Sequence, residues 1–320
     1  MPVTPRTLLP LVAVAALVAA GCGGSSHAAT TATTASTTTT AAASGLYAYD
    51  PSAPLDVRDR GVVNHGYPIA VHDISYRSPR GGRVPAYLAV PPGKGRHPAV
   101  IYLHGSGGNR LQFLVEATWM AARGAVAMTI DSPYARTPAP VIPRGLPGLS
   151  RQRDLEAQTV VDLRRAVDLL QRRPDVDPHR IAFVGWSAGA KTGALLAGAD
   201  HRIRAFDLMS GGSLPPSAYA AAAPAALRPE LLRVLGSTDP LAAIAHAAPS
   251  VLLLQDGLHD QVVPRAALDD LARAASEPKE VRWYDQGHAP GSAAFHDQLR
   301  WLAARLGLGG PVVHGAHAGP

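Results

Sequence analysis

An α/β fold is expected for this 320-residue chain: a mostly parallel central sheet with helices on both faces and an N-terminal antiparallel hairpin. Three features point to it. Short continuous apolar runs, such as 99–103, 125–130 and 251–254, alternate with segments of helical spacing. A parallel strand covered on both faces reads as such a run. Two period-two stretches, 69–76 and 84–90, flank the turn Arg80-Gly-Gly82, the pattern of antiparallel neighbours. The run Ile181-Ala-Phe-Val184 passes into Gly185-Trp-Ser187-Ala-Gly189 and a small-residue stretch through 199, which reads as strand, sharp turn and helix.

The remaining elements follow in order. A helical pattern covers 111–123. Residues 151–172 place Val160, Leu163, Val167 and Leu170 on one face, at helical spacings of three and four, before Pro174 stops the run. Further strands are expected at 203–209 and 281–284, and helices at 265–276 and 292–306. Two connections are long. Residues 132–150 form a Pro-rich loop after a strand end, where ligand crevices of open sheets form. Residues 211–248 are Ala-rich, with Pro at 215, 216, 224, 229 and 240, and suit a partly helical excursion beside the mouth of the site or, alternatively, a long connection on the far edge. There is no internal repeat and no second core. One domain is expected over 46–308, with a flexible tail at 309–320.

The start of the chain has a different character. Arg6 precedes an apolar stretch, 8–20, and then Ala19-Ala-Gly-Cys22. The apolar stretch falls short of the roughly 20 residues a membrane-spanning helix needs. The pattern resembles a bacterial lipoprotein signal: a signal peptide at 1–21, lipidation of Cys22, and a disordered Ser/Thr/Ala tether at 22–45 that cannot bury enough apolar surface to fold. The expected location is extracytoplasmic, anchored to the membrane through Cys22, or secreted if that residue carries no lipid. Cys22 is the one cysteine, so no intrachain disulfide can form. The formal charge of +6 comes from arginine, since lysine stands only at 94, 191 and 279. Those arginines are scattered rather than interleaved with aromatics, so no nucleic-acid partner is expected.

The chemistry centres on Ser187. Gly185 and Gly189 let strand and helix approach closely while Ser187 takes a strained conformation at the helix N-terminus. A serine hydroxyl needs a base to become a nucleophile, and the base needs a carboxylate to fix its tautomer. Asp260 follows the strand 251–254, and His288 follows the strand 281–284. All three residues therefore fall in loops after strand ends, on one edge of the sheet. Asp256 is the alternative acid, and His259 a weaker alternative base. Two amides are expected to receive the oxyanion: Ala188, directly after the nucleophile, and Ser106, in the loop His104-Gly-Ser-Gly-Gly108, with Gly107 next in line. No metal site and no cofactor are expected, because no pair of histidines at i, i+4 encloses a glutamate and a lone cysteine cannot build a thiolate site.

The stretches 99–108, 173–189, 256–264 and Gly287-His288 make the chain resemble a serine α/β-hydrolase of the dienelactone-hydrolase-like and acetyl-xylan-esterase-like group. The resemblance runs from about Ile69 to Leu306. It implies the α/β-hydrolase fold and the roles of nucleophile, acid, base and oxyanion donors at the positions above. True dienelactone hydrolases carry a cysteine nucleophile, whereas position 187 is serine. The expectation is therefore a hydrolase of carboxylic esters, small or borne on a polymer. The alternatives are a serine peptidase of the same fold and a non-catalytic surface lipoprotein that binds envelope polymers. Trp186 and the loop 132–150 are candidates to line the acyl or alcohol pocket, and Trp186 has packing as its alternative role. Oligomeric state is not written in the sequence.

Overall fold

A nine-stranded sheet organises the chain, in the order β1-β2-β3-β5-β4-β6-β7-β8-β9. The strands are β1 (Arg58–Val62), β2 (Ala70–Arg77), β3 (Arg83–Val90), β4 (His97–Leu103), β5 (Val126–Ile130), β6 (Val176–Trp186), β7 (Ala205–Met209), β8 (Val251–Gly257) and β9 (Lys279–Tyr284). This is a computed structural model, and it describes residues 45–63 and 68–309. The expected signal peptide, Cys22, nearly all of the tether and all but the first residue of the tail lie outside the described residues. Among the described residues, no helix is long and apolar enough to cross a membrane.

The six strands from β5 to β9 are parallel, and β1, β2 and β3 run antiparallel at one side. The expected hairpin is therefore present as β2 and β3, joined in unbroken register from Ala70↔Val90 to Arg77↔Arg83. An additional strand, β1, lies outside it. Alternate residues along each parallel strand feed two cores. Ile101, Phe183, Phe206 and Leu254 enter one, and Val100, Val184, Met209 and Leu253 enter the other.

Helices α1 (Leu114–Ala122) and α8 (Ser292–Arg305) cover the second face. The first face is covered by α2 (Leu146–Gln171) and α3 (Ala188–Ala199), together with α7 (Arg265–Ala274). The excursion at 211–248 forms three short helices: α4 (Pro216–Ala221), α5 (Arg228–Gly236) and α6 (Pro240–Ile244). The last of these packs on α3 so closely that a Cβ on Gly198 would stand 2.3 Å from the Ala243 carbonyl oxygen. Helix α2 begins five residues earlier than its periodicity indicated, because Pro147 fits the first turn of a helix. The expected loop at 132–150 is shortened accordingly.

The segment 45–56 is held to α2 by arginine. Arg165, buried beneath it, donates to the carbonyls of Pro51 (3.1 Å) and Ala53 (2.7 Å) and pairs with Asp168 at 2.6 Å. Arg164 donates to the Tyr47 carbonyl. The two terminal nitrogens of the buried Arg165 guanidinium are thus paired, which offsets much of its desolvation cost, while its Nε has no hydrogen-bond partner.

One feature of the connectivity sets the position of the site. From β4 the chain passes to β5 on one side, then crosses back to β6 on the other. The helices that follow β4 and β6 therefore cover opposite faces of the sheet, and the carboxyl ends of the strands at such a reversal are where an open α/β sheet forms its ligand crevice.

Candidate active site

Ser187 stands at that crevice, between the end of β6 and the start of α3. Its backbone adopts φ 55°, ψ −116°, a region rarely occupied by a residue with a side chain. The surrounding glycines show why the turn is possible. A Cβ on Gly185 would meet the Gly189 carbonyl oxygen at 2.4 Å, and one on Gly189 would meet the Leu103 carbonyl oxygen at 2.3 Å. The Ser187 N–H donates to the Met209 carbonyl at 2.8 Å, so the strained residue is tied to the neighbouring strand.

Three residues expected to act together are joined. The Ser187 Oγ lies 2.9 Å from His288 Nε2, and His288 Nδ1 lies 2.8 Å from Asp260 Oδ2. With Nδ1–H donating to the carboxylate, Nε2 is left to accept the serine proton. The other carboxylate oxygen of Asp260 accepts from the N–H groups of Val262 (2.8 Å) and Val263 (2.9 Å). Those two bonds fix its orientation at the head of α7. The Asp260 and His288 loops meet because Gly257 lacks a side chain: a Cβ there would stand 2.2 Å from the Gly287 carbonyl oxygen. Amides of Leu258 and His259 donate across to Tyr284 and Gln286 and lace the two loops together.

Asp256, the alternative acid, is buried at the end of β8, and its Oδ2 lacks a hydrogen-bond partner. Burial, reinforced by the carboxylates of Asp260 and Asp269, pushes its pKa up to about 7. It is Asp260, not Asp256, that bonds His288. His259 pairs instead with Asp285 at 2.8 Å on the exposed surface.

The loop after β4 makes a tight turn in which the Gly108 N–H donates to the Gly105 carbonyl and Gly107 has φ 74°. Such a turn calls for glycine at its third position, and it places Ser106 at the exposed corner. Ala188 is the first residue of α3, so its N–H has no acceptor within the helix. Side chains hold the turn from behind. The Gly105 N–H donates to Gln112 Oε1 at 3.1 Å. His104 Nδ1–H donates to the Gly105 carbonyl, and its Nε2 accepts from the Ser132 N–H at 3.1 Å. Burial holds His104 below the ordinary imidazole value, which suits a neutral ring bridging the loops after β4 and β5.

Three contacts at the site were not read from the sequence. The Trp186 Nε1–H donates to the His288 carbonyl at 3.0 Å, and the Ser210 Oγ–H donates to the same carbonyl at 2.9 Å. Gln112 was likewise absent from the reading. Trp186 does pack, as one of its two readings held, with its ring centroid 5.4 Å from that of His288. The position of Ser210 after β7, at the same sheet edge as the other loops, placed it near the site without indicating its contact.

The loop 132–150 contributes Ala135, Arg136 and Thr137 to a cleft of about 250 Å³ that is also lined by Arg60, Arg83 and Arg110. Its arginines are paired with aspartates: Arg60 and Arg110 with Asp73, Arg83 with Asp56, and Arg136 with Asp162. The cleft is a neutralised ion-pair lattice.

Residues 84–289, from β3 to just past His288, match the Dienelactone hydrolase family over more than half of the chain. The chain belongs to the dienelactone hydrolase family. Among solved structures it is similar to an acetyl xylan esterase from Paenibacillus sp. R4, with TM-score 0.67 and 23% identity, covering 83% of this chain and 92% of that one. Acetyl xylan esterase 1 from Thermoanaerobacterium sp. JW/SL YS485 gives TM-score 0.71 at 18% identity, with 84% and 94% covered. Both likenesses show the α/β-hydrolase fold. A curated relative, the polyketide transferase ATR5 of Stachybotrys chlorohalonatus (strain IBT 40285), is 28% identical over 170 residues, covering 52% of this chain and 54% of that protein. The chain thus spans about half the length of the curated relative it matches.

Proposed function

We propose that this dienelactone hydrolase family member is a serine hydrolase that cleaves carboxylic esters through an acyl-enzyme. The observation that carries the reading is the relay from Ser187 Oγ through His288 to Asp260, with links of 2.9 and 2.8 Å. As Ser187 attacks the ester carbonyl, His288 Nε2 takes its proton, and Asp260 holds the imidazolium in place. The amides of Ala188 and Ser106 receive the tetrahedral oxyanion. His288 then returns the proton to the departing alcohol. Water, deprotonated by His288, attacks the acyl-enzyme and releases the acid and the free serine. His288 relays every proton in this sequence, first from Ser187 to the alcohol and then from water to Ser187, and the reaction as proposed uses no cofactor.

Substitution Ser187→Ala should remove p-nitrophenyl ester hydrolysis by about 10⁴-fold or more and abolish labelling by a fluorophosphonate probe. A wild-type protein that is neither labelled nor active on a panel of esters of increasing acyl length would overturn the proposal.

We also propose that the enzyme works outside the cytoplasm, held at a membrane by lipid on Cys22. The support is the run Arg6, the apolar stretch 8–20 and Ala19-Ala-Gly-Cys22. A diacylglyceryl group supplies the two chains that stable anchoring requires. Cys22→Ser should move the protein from the membrane fraction to the soluble one, and unchanged fractionation refutes the anchor.

A further inference from the structure

We propose that Trp186 and Ser210 are positioning residues that clamp the main-chain carbonyl of His288 and thereby hold its imidazole against Ser187. The proposal rests on the serine-hydrolase reading above and adds two residues to it.

Four observations converge on that carbonyl. First, it accepts two side-chain hydrogen bonds, from Trp186 Nε1–H at 3.0 Å and Ser210 Oγ–H at 2.9 Å, which fills both of its lone pairs. The two donors come from different strands. Trp186 is the last residue of β6, and Ser210 immediately follows β7. The base is therefore referenced to the rigid sheet at two points.

Second, Ser210 is fully buried and has φ 50°. It is one of three non-glycine residues with positive φ among the described residues, and Ser187 is another. Glycine would occupy that conformation without strain. Side-chain strain of this kind persists where the surroundings enforce it, and it clusters at functional sites. Here the strained backbone aims a hydroxyl at the His288 carbonyl, while the Ser210 N–H donates to the Gln255 carbonyl at 2.8 Å.

Third, apart from the His259 N–H bond to the Gln286 carbonyl and the Asp260 bond to the imidazole, the segment around His288 is largely open to solvent. Asp285, Gly287 and Ala289 are exposed on either side of His288. The bond from Gly291 N–H to Gln286 Oε1 closes the loop but does not reach the imidazole. A base carried on such a loop needs an external reference, since a misplacement of about 1 Å can cost about 100-fold in rate.

Fourth, the indole links the base to the oxyanion loop. Its ring lies 5.4 Å from the imidazole, tilted by 39°. On another side it crowds position 105, where a Cβ would stand 3.0 Å from Trp186 Cε3 and 3.4 Å from Ser187 Cβ. Tryptophan supplies both the bulk that fills this space and the N–H that reaches the carbonyl. Phenylalanine could supply only the first.

The test compares Trp186→Phe, Ser210→Ala, Ser210→Gly and the double variant Trp186→Phe/Ser210→Ala in the full chain. The assays are p-nitrophenyl acetate hydrolysis, the rate of fluorophosphonate labelling and thermal midpoint. Each single variant should lose about 3- to 10-fold in kcat and the double variant about 100-fold or more, with KM within about twofold. Labelling should slow in parallel, because it too requires the Ser187–His288 pair. Ser210→Gly separates the two possible roles. It relieves the backbone strain and removes the hydroxyl, so it should melt no lower than wild type yet lose as much kcat as Ser210→Ala. A folded double variant with wild-type kcat, or a Ser210→Gly variant with wild-type kcat, overturns the clamp while leaving the hydrolase reading intact. A wild-type protein with neither hydrolysis nor labelling overturns both.

Discussion

Asp207 lies in the middle of β7, fully buried, and neither of its carboxyl oxygens has a partner in good hydrogen-bond geometry, the Gln298 amide being its one polar side-chain neighbour to favour ionisation by hydrogen bonding. Register places it in one row with Thr129, Tyr102 and Val184 across the sheet, on the face covered by α1 and α8. The Tyr102 and Thr129 hydroxyls in that row are equally unpartnered. Burial raises the Asp207 pKa from 3.8 to about 8, opposed only in part by Gln298 and Arg282. Below about pH 4 the carboxyl is protonated in both folded and unfolded chains, and it costs nothing. Between about pH 4 and pH 8 the unfolded chain ionises while the folded one retains its proton. Stability present in acid is thus lost progressively, at up to about 1.4 kcal/mol per pH unit, and levels off above pH 8. The ceiling at pH 7 is about 4 kcal/mol, and local relaxation lowers such penalties. Asp207→Asn preserves shape and removes the ionisation. It should raise stability by about 2 kcal/mol at pH 7.5 and by almost nothing at pH 4.5. Urea unfolding of both proteins at pH 4.5, 6 and 7.5 measures this, provided the denaturant slopes agree. A difference between the two proteins that stays constant with pH would refute the reasoning.

The two carboxyls at the end of β8 should separate cleanly. Asp260→Asn should cost about 10³- to 10⁴-fold in kcat, since the amide no longer holds the imidazole in the working tautomer, whereas Asp256→Asn should stay within about threefold. The same Asp256→Asn change should stabilise the fold increasingly from about pH 4 to pH 7, the window set by its raised pKa. Equal loss of activity in both variants would undo the assignment of the acid. Gly189→Ala places a methyl 2.3 Å from the Leu103 carbonyl oxygen and 2.8 Å from that of His104, so α3 must move away from β4. Turnover should fall about 100-fold or more, together with the melting temperature. An unchanged kcat would show that the turn tolerates the shift.

The sequence carried the parts of the site that depend on local chemistry. A Gly-x-Ser-x-Gly between an apolar run and a helix has few physical interpretations, because Gly185 and Gly189 are needed only where backbones approach closely. Asp260 and His288 were legible for a similar reason: each follows a buried strand, and parallel strands place such loops on one edge. The hairpin of β2 and β3 announced itself through alternation. Strand β1 did not, since its residues are largely exposed, and an exposed edge strand carries little hydrophobic period. Helix α2 began earlier than expected because Pro147 and Gly148 interrupt residues 146–150 and read as loop, although a first helical turn tolerates Pro147 and Leu146 and Leu149 keep a spacing of three.

What escaped the sequence is tertiary pairing between residues far apart in the chain. Nothing near Trp186 indicates that its indole N–H meets a carbonyl 102 residues later. Nothing in Ser210-Gly-Gly212 distinguishes a hydroxyl aimed at His288 from an ordinary turn serine. Both contacts exist because β6, β7 and β9 end on the same edge and their loops fold inward. The distinction has a mechanistic consequence. Residues that perform the chemistry must be of particular types and so leave a motif. Residues that hold those groups need only reach a backbone atom, which many side chains can do. The His288 carbonyl makes the point: it is a main-chain group that any residue at 288 would present, yet an indole and a strained serine converge on it. On the proposed clamp, the precision of the base depends on contacts that only the folded sheet edge reveals.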